Sequence, residues 1–559
     1  MLLRIQRQQA SSAGSASAPV TTVVFGPVAD RRNAADRAHR GDLKGALGVV
    51  SALDTGPRHG IRRHLATLIA ILGPGIVVMV ADNDAGGISV YAQAGQDYGT
   101  QFTWLVLLLV PVLFVHQEMA ARLGAVTGAG HARLITERFG RRWGAFALAD
   151  LLAFNLLLLV TDFIGAAMAL GYFGVSRFVA VPVAAVFLIA VTAAGSFRGW
   201  ERVMYVLVCA SLVAVPLALA ARAHRPVPPQ PSAPTVAGMA HGGALFLIVA
   251  LVGASVAPWQ LFFQQSNVVD KRITTRFLGY ERADTALGTV LFAIGALGVL
   301  LACGFAFGST PLHGAFTSGG ATASGLRDRA GGGAGALFAT ALGVGSVLGA
   351  SAVTLATSYA VGDFFGLRHS LHRRWREAKA FHRTYAASVL AAATVVLIPQ
   401  VPLGLLTTAV QALAGTLLPS ATIFMLLLCN DREVLGPLVN PRWLNVVSAA
   451  VTGGLLALSA LLIVTTAAPG VHVTLAVGAL VTAVAALVGG GSLFAVRNAP
   501  SALPTGADSR TWTMPPIESL KPPQRSALQT AGLIVIRCYL FAAVAVLAVR
   551  TVQMALGPG

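Results

Sequence analysis

Two short polar interruptions in otherwise apolar sequence hold the residues best suited to chemistry. The first, Asp82-Asn83-Asp84-Ala85-Gly86-Gly87, separates the apolar stretch that follows Gly73-Pro74-Gly75 from Ile88–Ala94. The second, Ala257-Pro258-Trp259, ends Ala244–Val256 and leads into the more polar run Gln260–Asn267. Proline removes a backbone donor, and paired glycines loosen a helical ladder. Unwound backbone at membrane depth is tolerated only where it lines a cavity or is buried in protein. Asp84, in such a break beside freed carbonyls, offers hard oxygen ligands to a cation, and an intramembrane carboxylate is a functional candidate by default. Asp84 has a second reading as the cap of the following half-helix, whose first amides it can accept from. Asp82 has the same two readings, facing the same cavity or capping.

The elements that must position these residues are membrane spans. Of 559 residues, 55% are hydrophobic and 11% charged, against roughly 25% charged in soluble domains. Apolar runs such as Leu151–Phe173, Phe178–Gly195, Val451–Ala468 and Val473–Val496 are each long enough to cross a hydrocarbon core of about 30 Å as a helix. Twelve spans are expected at 66–98, 101–126, 145–173, 177–196, 201–222, 242–267, 284–308, 333–365, 384–400, 403–429, 443–467 and 471–496. A thirteenth falls near 530–550, where Arg537 interrupts it. The net charge of +18 sits between spans, so the positive-inside rule accounts for it better than nucleic-acid binding does. With the N-terminus in the cytoplasm, the basic clusters fall on even-numbered connections. Examples are Arg133, Arg138, Arg141 and Arg142 after span two, and Arg368, Arg373, Arg374, Arg376, Lys379 and Arg383 after span eight.

The breaks fall in spans one and six, five spans apart, which points to an inverted repeat with its site at the midplane. The expected fold is therefore an all-α polytopic membrane protein with a LeuT-like core of two inverted five-helix repeats. Residues 64–222 form the first repeat and 242–430 the second. Residues 1–63 are expected to be a disordered basic cytoplasmic tail, lacking the h-region of a cleaved signal peptide. Residues 431–559 contribute peripheral helices and a Pro-rich linker at 501–530.

Gly73-Pro74-Gly75, Asp84-Ala85-Gly86-Gly87 and Ala120-Ala121-Arg122-Leu123-Gly124, with Thr161-Asp162, Gln411 and Leu418-Pro419 further on, resemble the Nramp divalent-metal transporters over about residues 66–436. That resemblance implies a metal site built on Asp84 and Gln411. It also implies a role for the two break positions Gly87 and Ala257, where the family carries an Asn and a Met. Gln411 is equally open to a helix–helix hydrogen bond. Both departures remove a side-chain ligand, and Gln264 stands where the family has a later helix-six histidine. The pattern resembles the Nramp-related magnesium transporters. A thioether favours transition metals over hard ions, and Mg²⁺ usually binds through one or two carboxylates while keeping several waters. The expected activity is import of divalent cations across the plasma membrane, Mg²⁺ with Mn²⁺ tolerated. Its alternatives are a proton-coupled Mn²⁺/Fe²⁺ Nramp importer and an amino-acid transporter of the same fold. Asp162 matches the family's helix-three Asp, but Gly165 stands where its Glu belongs, so weak or absent proton coupling is expected.

Accessory positions at the site are Asp82, Pro258, Trp259 and Asp162, with Trp259 either narrowing the path or simply packed. His116, Glu118, Asp150 and Asp363 read as structural polar contacts, and Arg368–Arg383 as a solvated loop. The four cysteines lie in apolar spans and suggest neither disulfides nor a cluster. No nucleotide motif is apparent. Neither an enzyme, a cofactor, a nucleic-acid partner nor an obligate protein partner is expected; the partners are the metal ion and the bilayer.

Overall fold

A computed structural model describes residues 41–467 except 55, 57, 225–241, 309 and 399–402, together with 512–517 and 520. The expected spans at 471–496 and 530–550 lie outside the described residues. So do residues 1–40, nearly all of the 224–241 connection and most of the 501–530 linker. The other eleven expected spans each coincide with helix.

The first expected span is three helices. α1 (Ile61–Ile71) meets α2 (Pro74–Ala81) at a 48° bend. Gly73 makes the bend, with φ 147°, a backbone conformation that a side chain would oppose. Pro74 then opens α2 at the position where its missing donor costs nothing. α3 (Ala85–Tyr98) follows the Asp82–Asp84 break. Next come α4 (Thr103–Thr127), the short α5 (His131–Phe139), α6 (Arg141–Tyr172) and α7 (Arg177–Ala193). The fifth expected span is divided into α8 (Phe197–Ser211) and α9 (Ala214–His224). Pro216 sits in the first turn of α9, where the absence of an N–H is tolerated. The sixth span is broken as expected, into α10 (Gly242–Ser255) and α11 (Pro258–Asp270). The second half continues with α12 (Leu278–Phe307), α13 (Gly319–Ala330), α14 (Gly332–Phe365), α15 (Lys379–Leu397) and α16 (Leu403–Cys429). Beyond it lie α17 (Arg432–Leu435) and α18 (Arg442–Ala467). Among the described residues eight helical stretches are long and apolar enough to cross a membrane, nine with the bent α1–α2 pair.

The packing follows the repeat. α2 and α3 lie against α12, α10 against α16, and α6 against α14. α2 touches α11 while α3 touches α10, so the two broken helices pass each other antiparallel. That arrangement brings their unwound segments to one level.

Three expectations are corrected. The tail expected to be disordered to residue 63 gives way to structure from residue 41. β1 (Leu43–Lys44) pairs with β2 (Val49–Val50), and Leu43, Val50 and Ala70 share an apolar cluster. The charge of the segment hid these few apolar contacts. Second, the Arg368–Arg383 loop is not simply solvated. Ser370 and Leu371 are buried because Asp270 accepts from the Ser370 hydroxyl at 2.5 Å and the Leu371 amide at 2.8 Å. Third, part of the expected linker packs on the bundle: the Met514 amide donates to Val126 O at 3.2 Å, and Trp512 lies against Gly436.

Candidate functional site

The first break forms because α2 runs out of hydrogen bonds at Asp82 and Asn83, whose amides turn back to Met79 O and Val80 O in a tighter turn. Asp84 then adopts extended backbone (φ −75°, ψ −174°) and caps α3, its Oδ1 accepting from the Gly87 amide at 2.6 Å. The capping geometry is thus present. The same carboxylate also receives Gln411 Nε2 of α16, at 3.1 Å to Oδ1. Gln411 therefore makes a helix–helix hydrogen bond, and it makes it to Asp84.

Asp162 of α6 comes up beside them. Its Oδ1 accepts a long hydrogen bond from the Ala85 amide at 3.4 Å. Gly349 of α14 lets the two acids approach: a Cβ there would lie 2.6 Å from Asp84 Cβ and 3.2 Å from each Asp162 carboxylate oxygen. Gly87 is similarly enclosed, its absent Cβ falling 2.6 Å from Asp82 O. Gly165 faces Ala85 and Ser346, with a Cβ there only 2.3 Å from Ala85 Cβ and 2.4 Å from Ser346 Oγ. No acidic side chain fits that position in this packing.

The second break places Ala257 in extended backbone (φ −119°, ψ 150°) ahead of Pro258. Gln260 turns back so that its Oε1 accepts from the Ala257 amide at 3.2 Å and from Gln117 Nε2 at 3.1 Å. The Tyr91 hydroxyl donates to Ala254 O at 2.9 Å, tying α3 to the end of α10. Pro258 faces away, lining a small void with Asp150, Phe262 and Ser420. Trp259 is fully buried with its ring edge-on to Phe263 at 6.0 Å, which is the packed-aromatic arrangement.

Across the two breaks, Gln260 lies beside Asp82 without a well-formed hydrogen bond: Asp82 Oδ2 and Gln260 Nε2 are buried with no partner among the described residues. Asp162 Oδ2, Asn83 Oδ1 and Gln117 Oε1 are buried oxygens in the same condition. No Lys, Arg or His pairs with Asp82, Asp84 or Asp162 among the described residues. Three buried carboxylates, two of them with an unpartnered oxygen and none with a basic partner among the described residues, are costly to hold as anions. Among the described residues no three His, Cys, Asp or Glu side chains converge as a ready-made metal cluster, so a cation here would also take amide or carbonyl oxygens. The structure joins Gln411 to Asp84, sets Asp162 beside them on the Ala85 amide, places Asp82 against Gln260, and leaves Pro258 and Trp259 in packing roles.

Asn83, Gln117 and Gln260 were missed from sequence. Asn83 directly precedes Asp84, and Gln260 is one turn into α11, so polarity within the breaks was the available signal. The residues read as structural are so placed. Glu118 pairs with Arg122 at 3.2 Å and Arg282 at 2.8 Å, His116 bonds Val112 O, Asp150 accepts from Ser420, and Asp363 pairs with His369.

The fold and these paired breaks define an all-α polytopic membrane protein of the LeuT-like kind. The manganese transporter of Eremococcus coleocola superimposes with a TM-score of 0.55 at 19% identity, covering 80% of this chain and 97% of that one. The family described as "Natural resistance-associated macrophage protein-like" matches residues 75–465, and the chain belongs to this Nramp family of membrane transporters. It is similar to the divalent metal cation transporter MntH of Verminephrobacter eiseniae, 32% identical over 246 residues, which are 41% of this chain and 52% of that protein. The MntH of Deinococcus radiodurans is 28% identical over 436 residues, 75% of this chain and 94% of that protein. The chain thus spans about half the length of the first of these relatives and nearly all of the second.

Proposed function

We propose that this protein is a secondary transporter that imports divalent metal cations, Mg²⁺ foremost and Mn²⁺ tolerated, with weak or no proton coupling. The observation that carries the reading is the group of buried oxygens around the two helix breaks: Asp84 held by Gln411, Asp162 beside it on the Ala85 amide, Asp82 opposite Gln260, and no basic side chain paired with any of them among the described residues. Such a donor set suits a hard cation. Ala257 supplies no thioether and Gly87 no amide, so the ligands that would select a transition metal are gone, and amide or water oxygens take their place. The orientation that goes with this reading has the N-terminus in the cytoplasm of a plasma-membrane protein. The two halves, 64–222 and 242–430, then move against each other around the site.

Weak coupling has its own support at Gly165, where close packing against Ala85 and Ser346 leaves no room for an acid. An inward potential of 100 mV is worth about 4.6 kcal/mol to a divalent ion, enough to drive accumulation without protons. A second reading, a Mn²⁺ importer, is favoured by the names of the relatives: divalent metal cation transporter MntH and a manganese transporter. An amino-acid substrate fits poorly, because its carboxylate would face Asp84 and Asp82.

The test is metal flux into proteoliposomes at a fixed membrane potential. The expected result is Mg²⁺ entry, competition by Mn²⁺, weak competition by Cd²⁺, and loss of entry in Asp84→Ala. Entry of Mn²⁺ but not Mg²⁺ would select the second reading, and full activity in Asp84→Ala would remove the site.

A further inference from the structure

At the α1–α2 bend, away from the metal site, four ionisable side chains meet in protein that excludes water. They are Glu201 of α8, Lys271 at the end of α11, and Glu281 and Asp284 of α12, each at most 1% exposed. Three carboxylates thus surround one ammonium. Two are compensated. Lys271 Nζ pairs with Glu201 Oε1 at 2.5 Å, and Glu201 also accepts from the Ala46 amide. Asp284 sits on the N-terminus of α2, accepting from the Gly73 amide at 3.0 Å and the Gly75 amide at 2.7 Å, where the helix dipole favours an anion.

Glu281 is left over. Its Oε1 accepts from Gln264 Nε2 at 3.0 Å, but its Oε2 is buried with no partner among the described residues, and so is Gln264 Oε1. The two orphaned atoms are the remaining polar atoms of one side-chain pair, the acid's second oxygen and the amide's single oxygen, and both are acceptors. A single proton on Glu281 Oε2 supplies the donor that Gln264 Oε1 lacks, closing a ring of two hydrogen bonds between an acid and an amide. Without it, a third anion stays buried with one neutral donor, which is strongly unfavourable.

We propose that Glu281 is a proton-binding site, protonated while the metal site is shut away from solvent and deprotonated as the α1–α2 bend opens. The charged and titratable groups facing Glu281 are Asp284 on its own helix, Lys271 from the end of α11, and Glu201 and Tyr205 from α8. Its neighbour Arg282 is directed to Glu118 of α4. Loss of the proton to water leaves an anion that competes with Glu201 for Lys271 and repels Asp284. Those are the groups that clamp the bend: Lys271 donates to Ile71 O at 2.7 Å and to Leu72 O, the Tyr205 hydroxyl also reaches Leu72 O, and Asp284 holds Gly73 and Gly75. Deprotonation therefore loosens the clamp. The proton returns to the side it left, so it sets the rate of opening and is not carried across with the metal. The sidedness rests on the transporter reading; the protonation does not.

Two measurements separate these. Infrared difference spectra over a pH titration of the purified protein read the carbonyl band of a buried carboxylic acid directly. One component of that band is expected in the wild type and lost in Glu281→Gln, with the components of other buried acids unchanged, whatever the protein transports. A carbonyl region identical to wild type in Glu281→Gln overturns the proposal. In vesicles with the N-terminus inside, as shown by protease protection, Mn²⁺ entry is expected to rise with internal pH by up to about tenfold per unit for a single released proton. Glu281→Gln, whose amide still pairs with Gln264, is expected to enter slowly and without pH dependence; a wild-type pH profile in that variant overturns the gating role. Should Glu281→Gln fail to fold, Gln264→Leu keeps the acid and removes its partner. It is expected to move the band and the titration midpoint, and unmoved values overturn the proposal. Absence of any metal entry bears on the transporter reading, while the infrared result still decides the protonation.

Discussion

Replacing Gly165 by alanine tests the claim that close packing of α3, α6 and α14 both shapes the proposed metal site and excludes an acid. The added methyl would fall 2.3 Å from Ala85 Cβ, 3.3 Å from Ala85 Cα and 2.4 Å from Ser346 Oγ. Carbon atoms in contact sit about 3.5–4.0 Å apart, so α6 must withdraw from α3 by more than 1 Å or the two helices must distort. Overpacking of this kind costs about 1–3 kcal/mol. Two different helices crowd the same methyl, which favours the upper part of that range over the gain of about 1 kcal/mol for replacing glycine by alanine in a helix. The displaced element is the first turn of α3, the one Asp84 caps and Asp162 touches through the Ala85 amide. If the cost falls on the site, 1–3 kcal/mol lowers metal affinity by about 5- to 150-fold. The control is on the same helix: a methyl at Gly171 meets nothing within 4 Å, so Gly171→Ala should be neutral or slightly stabilising. Both variants are assayed for residual folded protein after heating in detergent and for the concentration dependence of metal uptake. Indistinguishable behaviour of the two would refute the reasoning.

The remaining predictions concern selectivity and the bend. Ala257→Met restores a thioether at the second break and should raise competition by Cd²⁺ at least about tenfold relative to Mg²⁺, read from inhibition of uptake. Unchanged Cd²⁺ inhibition would separate this position from the ion. Lys271→Met leaves Glu201 buried without its cation and should destabilise by about 3–5 kcal/mol. The double variant Lys271→Met/Glu201→Gln should recover most of that loss in the same heating assay. A double variant no better than the single one would mean that the pair is not what holds this region.

How much was legible in the sequence follows from the range of each interaction. Apolar length places helices because the bilayer core demands it, and every described span was visible that way. Pro74, Pro258 and the Asp82–Gly87 run marked where helices must stop, since a missing donor or a capping carboxylate acts within a turn. Asp84 was readable on the same grounds, as a charge in an apolar stretch. The split of the fifth span after Ser211 was not anticipated, because a single proline near a helix start can equally be absorbed.

What only the tertiary structure decided is which polar groups meet. Gln411 reaches Asp84 across 327 residues, and Lys271 reaches Glu201 across 70 and Ile71 across 200. Nothing local in the chain encodes these partners. The excess of carboxylates at the α1–α2 bend appears only when α8, α11 and α12 are packed together, and so does the single unsatisfied oxygen of Glu281. The same holds for Gly165: in sequence it is a missing acid, whereas in the fold it is a contact surface between helices. Short-range rules fix where the chain breaks, while burial, which depends on the whole bundle, fixes what those breaks can hold.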